Sequence, residues 1–261
     1  MELAYSFAGL VVGIIVGLTG IGGGALMTPI LIAGFGINPA VAVSTDLMYA
    51  AFTKMGGVWP YARKRLVHWR VVFALLAGSI PGSLVTLWWL SGLEAMASIE
   101  HAINLTLGFS LILTSVAVFL RSRIRTYVAQ AQLPRLKSFV RRWRMVITSL
   151  AGLMLGGLVT LSSVGAGALG TAVLIVLFPH MTMPMIVATD LVHAVVLTSV
   201  AGVGHWQLGF LDTTLLMYLL LGSLPGVYLG SHLGTRLSPR IMQPLMGSLL
   251  LFIGLRFVLV G

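Results

Sequence analysis

Two aspartates stand deep in apolar sequence, each directly after a threonine: Thr45–Asp46 in STDLMYA and Thr189–Asp190 in ATDLVHA. A carboxylate surrounded by hydrocarbon is costly and by default marks a functional position. Each has a ring three residues further on, Tyr49 in the first case and His193 in the second, a spacing that puts the pair on one helix face. Two chemistries fit Asp46 and Asp190. They can carry a coupling proton, or each can accept backbone N–H bonds as a cap near the start of a half-helix. His193 is either hydrogen-bonded in the interior or a substrate contact and proton relay.

The second chemistry-bearing feature is glycine and hydroxyl. Thr19, Gly20, Gly22, Gly23 and Gly24 interrupt one apolar run, and Ser162, Ser163, Gly165 and Gly167 interrupt another. A glycine costs about 1 kcal/mol relative to alanine inside a helix, so such a cluster breaks it. The freed backbone groups cannot face lipid and must be buried or line a cavity. N–H groups at the start of the following half-helix attract an anion. The hydroxyls of Thr19, Thr45, Ser162, Ser163 and Thr189 are suitable oxyanion donors. The competing reading is close helix packing, which small residues allow.

These features recur in order. LTGIGGGALMTPIL at 18–31 returns as LSSVGAGALGTAVL at 161–174, STDLMYA at 44–50 as ATDLVHA at 188–194, and GSIPG at 78–82 as GSLPG at 222–226. Glycine breaks at matching places in a duplicated apolar chain point to a transporter. The GSxPG blocks lie within apolar segments and act either as bends or as packing faces. Lys54 lies eight residues beyond Asp46, about 12 Å along a helix, too far for a direct pair. It either draws an anion inward or snorkels to the interface.

The elements that must position these residues are membrane spans. The chain has 261 residues, of which 58% are hydrophobic and 8% charged, and its mean hydropathy is +1.03. No soluble fold of this size hides so much apolar surface. Segments able to cross a ~30 Å hydrocarbon core fall at about 4–34, 39–60, 71–92, 102–120, 146–178, 184–203, 213–233 and 241–260. The sequence therefore predicts an all-α integral membrane protein of about eight transmembrane segments in two four-segment repeats. The first and fifth segments are broken by their glycine-rich stretches. The repeats are expected at 1–120 and 145–261, joined by a basic cytoplasmic linker at 121–144 in which Pro134 interrupts an amphipathic stretch.

The net charge of +10 is concentrated at one side. Eight of the 16 cations lie between Arg121 and Arg144, and Arg63, Lys64, Arg65 and Arg70 form a second cluster. Short basic loops between apolar runs follow the positive-inside pattern and favour anionic lipid over nucleic acid. If all eight segments cross once, both loops and both termini are cytoplasmic. If each broken segment turns back on itself, the repeats become inverted. The first apolar run reads as a mature span, not a signal peptide, since it lacks a basic n-region and carries half of the repeat.

Other chemistries find no support. Cysteine is absent and the histidines show no ligand spacing, so no metal and no cofactor is expected. No P-loop pattern suggests a primary pump. Ser162 and Ser163 lack the G-x-S-x-G setting of a hydrolase, which disfavours an intramembrane enzyme.

The run GLTGIGGGALMTPILIAGFGINPAVAVSTDL, with the later GAGALGT, ATDL and GSLPG, resembles the TauE/SafE family of sulfite and organosulfur-anion exporters over essentially the whole chain outside 121–144. The resemblance implies a transporter of small sulfur-containing or related organic anions, in many cases outward. By position, Gly20, Gly22, Gly23, Gly24, Pro29 and Thr45 match the first signature, and Gly165, Gly167 and Thr189 the second. Ala172 stands where the first copy has Pro29, so the two half-sites are expected to be inequivalent.

The combined expectation is a secondary transporter of a small anion in the bacterial inner (plasma) membrane, working by alternating access. Its site would lie between the repeats, with protons as candidate co-substrate and a homo-oligomer compatible with the sequence. An anion channel is the alternative.

Overall fold

A computed structural model describes residues 2–19, 24–93, 96–130, 134–234 and 239–260. Among these, every regular element is a helix: α1 Glu2–Thr19, α2 Gly24–Phe35, α3 Pro39–Arg63, α4 Trp69–Ser91, α5 Met96–Gln130, α6 Pro134–Ser162, α7 Ala168–Leu177, α8 Met183–Gln207, α9 Thr213–Gly234 and α10 Pro239–Val260. The apolar segments at 4–34 and 146–178 each hold two of them, α1 with α2 and α6 with α7. The basic stretch at 121–144 is helical on both sides of 131–133, because α5 runs on to Gln130 and Pro134 takes the first position of α6, where a missing N–H costs nothing.

Five segments among the described residues are long and apolar enough to cross a bilayer: Trp69–Ser91, Met96–Arg121, Arg142–Ser162, Met183–Gln207 and Thr213–Gly230. Their outer faces are apolar too. Trp88 is 77% exposed, Met154 70% and Leu221 63%, a surface that only lipid covers without penalty. Exposed Trp69 and Trp88 lie near the two ends of α4, about 28 Å apart at 1.5 Å per residue, as the two aromatic belts of a bilayer require. The fold is that of a multi-pass membrane protein.

Glycine sets the packing. Gly9 and Gly13 of α1 lie against the backbone at Leu219 and Ser223 of α9, while Gly222, Gly226 and Gly230 of α9 lie against Ser6, Leu10 and Ile14. The residue numbers rise together, so α1 and α9 run parallel. The same holds for α4 and α6, where Gly78 and Gly82 meet Ser149 and Leu153, and Gly152 and Gly156 meet Leu75 and Ser79. A Cβ at any of these positions would collide with backbone. Both GSxPG blocks are therefore packing faces, and α4 and α9 continue through Pro81 and Pro225. In membranes, where no hydrophobic effect drives helices together, this close approach supplies the attraction.

Two further pairs run antiparallel. Gly57 of α3 faces Leu191 of α8, and Gly202 of α8 faces Met48 of α3. Gly108 of α5 meets Gly254 of α10, and Ser115 donates to the Gly247 carbonyl at 2.7 Å. The buried polar residues concentrate on α3 and α8, which carry Ser44, Thr45, Asp46 and Lys54 on one and Thr189, Asp190 and His193 on the other. These two helices are the backbone of the site.

Candidate anion site at the second helix break

The break between α6 and α7 is built by residues that tolerate unusual backbone. Ser163 has φ +56°, Gly165 +105° and Gly167 +140°. Left-handed φ is open to glycine and costs roughly 1–2 kcal/mol for serine. Ser162 holds the turn, donating to the Leu158 carbonyl at 2.6 Å and accepting from the Val164 N–H at 3.2 Å. Helix α7 then starts at Ala168; the Leu169 and Gly170 N–H groups donate to the Gly165 carbonyl at 3.2 and 3.4 Å, and the helix dipole makes this end electropositive in the interior.

Opposite that end, α3 delivers Lys54. Its ammonium is buried (6% exposed) and donates to the Ala166 carbonyl inside the break at 2.6 Å. A cavity of about 260 Å³ opens here, lined by Lys54 and Tyr61 of α3, Arg121 of α5, Ala166 and Gly167 of the break, Ala168 and Thr171 of α7, and Asp190 of α8. Two cations and a helix N-terminus converge on a chamber the size of a small organic anion.

The two aspartates occupy matching clamps. Thr28 of α2 donates to Oδ2 of Asp46 at 2.5 Å, and Thr171 of α7 donates to Oδ2 of Asp190 at 2.9 Å. Each carboxyl therefore ties a long helix to the half-helix that precedes it. In both, the buried Oδ1 has no hydrogen-bond partner. Gly170 of α7 packs directly on Asp190 Oδ1. The Ser163 hydroxyl lies beside Asp46. Lys54 is within electrostatic reach of both carboxyls.

The remaining predicted residues fall in distinct places. Thr189 donates to the Met185 carbonyl at 2.7 Å and accepts from the His68 N–H at 3.0 Å, which anchors the loop before α4. His193 pairs its Nε2 with Ser79 Oγ of α4 at 3.0 Å, while its buried Nδ1 has no partner. Tyr49 is fully buried near Ser223 of α9 with its hydroxyl unbonded. Thr45 is fully buried with a free hydroxyl. Gly24 opens α2. The side chain of Thr19 and all of Gly20, Gly22 and Gly23 lie outside the described residues.

Sequence reasoning missed Arg121, Tyr61, Thr171 and Thr28 as site residues and left Lys54 between two fates. The threonines carried a readable signal, because each follows its glycine break in both copies of the repeated block. Lys54 carried none, since its partner carbonyl is 112 residues away. Among the described residues, no group of three or more His, Asp or Glu is placed to hold a metal ion.

A lipid-faced helical fold that buries a cationic chamber at an unwound helix break defines a membrane transporter rather than an enzyme. The chain belongs to the sulfite exporter TauE/SafE family, whose family model matches residues 5–257. It is 37% identical over 266 residues to the probable membrane transporter protein YjnA of Bacillus subtilis (strain 168), covering 99% of this chain and all of that protein. It is 25% identical over 218 residues to the probable membrane transporter protein YdhB of the same organism, covering 83% of each. No solved structure matches it.

Proposed function

We propose that this protein is a secondary transporter of the bacterial inner membrane that moves a small sulfonate, sulfite or related organic anion, outward, by alternating access. The observation that carries this reading is the 260 Å³ chamber with Lys54, Arg121 and the start of α7 on its wall. An inside-negative potential favours exit of an anion that crosses alone, by ~2.3 kcal/mol per charge per 100 mV, whereas an anion accompanied by one proton follows its concentration and pH gradients instead. Of the expected hydroxyl donors, Ser163 and Thr45 are buried but do not line the chamber. Ser162 and Thr189 hold the turn and the loop beside it. Asp46 and Asp190 are the groups that can carry a proton.

The packing supports inverted repeats comprising α1–α5 and α6–α10. Helix α1 pairs with α9 as α6 pairs with α4, and α3 pairs with α8 as α5 does with α10. With the basic 61–70 loop cytoplasmic, α4 and the parallel α6 both leave the cytoplasm. Helix α7 then turns back, since Phe178 just after it sits 5.1 Å beneath the guanidinium of Arg144 near the inner end of α6. Each half thus crosses an odd number of times. The ends of the chain lie outside, opposite to the placement that eight single crossings would give.

Two measurements test this reading. Purified protein is expected to gain thermal stability with sulfite, thiosulfate or sulfoacetate, by about 2.7 kcal/mol at a hundredfold excess over Kd. A flat response across these and small carboxylates would sink the substrate class. Alkaline phosphatase fused after Gly261 is expected to be active, and a fluorescent protein fused there dark in the periplasm; the reverse pattern would refute the inverted topology.

A further inference from the structure

The charges around the chamber are unequal between the two halves. Lys54 corresponds by register to Thr198 of the second half, whose hydroxyl donates to the Ala194 carbonyl at 2.8 Å. One buried ammonium therefore serves two carboxyls, Asp46 and Asp190, both within its electrostatic reach. Lys54 makes one hydrogen bond to Ala166, and an ammonium has three donors. With Arg121 at the wall, two cations balance two carboxylates. An incoming monoanion is then the unbalanced charge.

Only one of the carboxyls shares the chamber. Asp190 lines it together with Lys54, and Asp46 does not. Asp46 sits in its Thr28 clamp, with Ser163 beside it. Asp190 gives Oδ2 to Thr171, while Oδ1 is buried with no partner. The other groups around Asp190 are Lys54 and Tyr61 of α3, Arg121 of α5 and Thr171 of α7. His193 on its own helix is turned to Ser79 of α4, and the break after α6 contributes Ser163, on the Asp46 side. Among the described residues that line the chamber, Asp190 is the only acid.

We infer that Asp190 takes up one proton, on Oδ1, each time an anion lodges beside Lys54, and returns it when the anion leaves, so that anion and proton cross one for one. The bond formed is O–H on Asp190, the proton comes from the bathing water, and no redox partner is needed. Lys54 is thereby the counter-ion for which carboxylate and substrate compete. Asp46 keeps its place as the tie between α2 and α3. This inference rests on the anion-transport reading and adds its coupling and stoichiometry.

The test uses the full chain in proteoliposomes with methanesulfonate, a monoanion that does not titrate near neutral pH. The parent is expected to move about one proton per methanesulfonate, read with an internal pH dye. Its methanesulfonate Kd should weaken as pH rises, by at most about tenfold per pH unit, because binding takes up a proton and affinity falls as protons become scarce. Asp190→Asn should carry methanesulfonate without protons and with a flat Kd profile. Asp46→Asn should move fewer anions but still one proton with each.

Methanesulfonate flux in the parent with no proton movement and a flat Kd would overturn the inference and leave anion transport standing. Coupling lost in Asp46→Asn but kept in Asp190→Asn would overturn it as well. Absence of any methanesulfonate binding in the parent would defeat the anion reading itself, and the inference with it. Should Asp190→Asn fail to fold, the slope of the parent's Kd against pH decides alone.

Discussion

Lys54→Gln is expected to weaken anion binding about a hundredfold or more and to abolish measurable transport. The side chain is the buried cation of the chamber wall, and it joins α3 to the break by its bond to Ala166. Truncating one partner of a buried charged pair costs about 2–5 kcal/mol, and each 1.4 kcal/mol is about tenfold in Kd. The same change leaves Asp46 and Asp190 with less counter-charge, so it should also lower the melting temperature. The two effects separate in the double variant Lys54→Gln with Asp190→Asn. Removing both charges should recover much of the stability while anion binding stays lost. Anion binding at parental affinity in Lys54→Gln, measured by calorimetry on folded protein, would show that the lysine is structural only.

Gly170→Ala is expected to abolish transport and to lower stability. A Cβ there would land on Oδ1 of Asp190, pushing α7 away from α8 and breaking the Thr171 clamp. Overpacking of this kind costs about 1–3 kcal/mol. The move would also displace the start of α7 and collapse the chamber wall, so transport should be lost together with stability. Gly56→Ala on α3 is the control, because nothing lies within 4 Å of the added Cβ. It should gain up to about 1 kcal/mol from helix propensity. Equal melting temperatures for Gly170→Ala and the parent would mean that α7 and α8 can slide, and that the clamp does not fix the site.

Much of this arrangement was readable in the chain. The aspartates, the glycine breaks and the basic loops each stand out by residue type against apolar surroundings, and each carries a large transfer cost that few structures can meet. The threonines of the clamps were visible but undervalued, since a hydroxyl in a membrane segment has many local partners. Thr189 illustrates this: it looked like an oxyanion donor and instead secures the loop at His68. The GSxPG blocks looked as much like hinges as like packing faces. What decided the matter was the neighbouring helix: Ser149 and Leu153 approach Gly78 and Gly82 so closely that no side chain fits.

By itself the sequence determined that the chain lives in lipid, that it breaks helices at corresponding points, and that two carboxyls are buried near those breaks. Local composition settles such things, because solvent transfer and helix propensity act residue by residue. Only the tertiary structure decided that Lys54 reaches the second break, that Arg121 joins it, and that Asp190 rather than Asp46 shares the chamber. Those choices depend on which helices lie side by side and in which direction. They are made by backbone contacts between small residues far apart in the chain, and no periodicity records them.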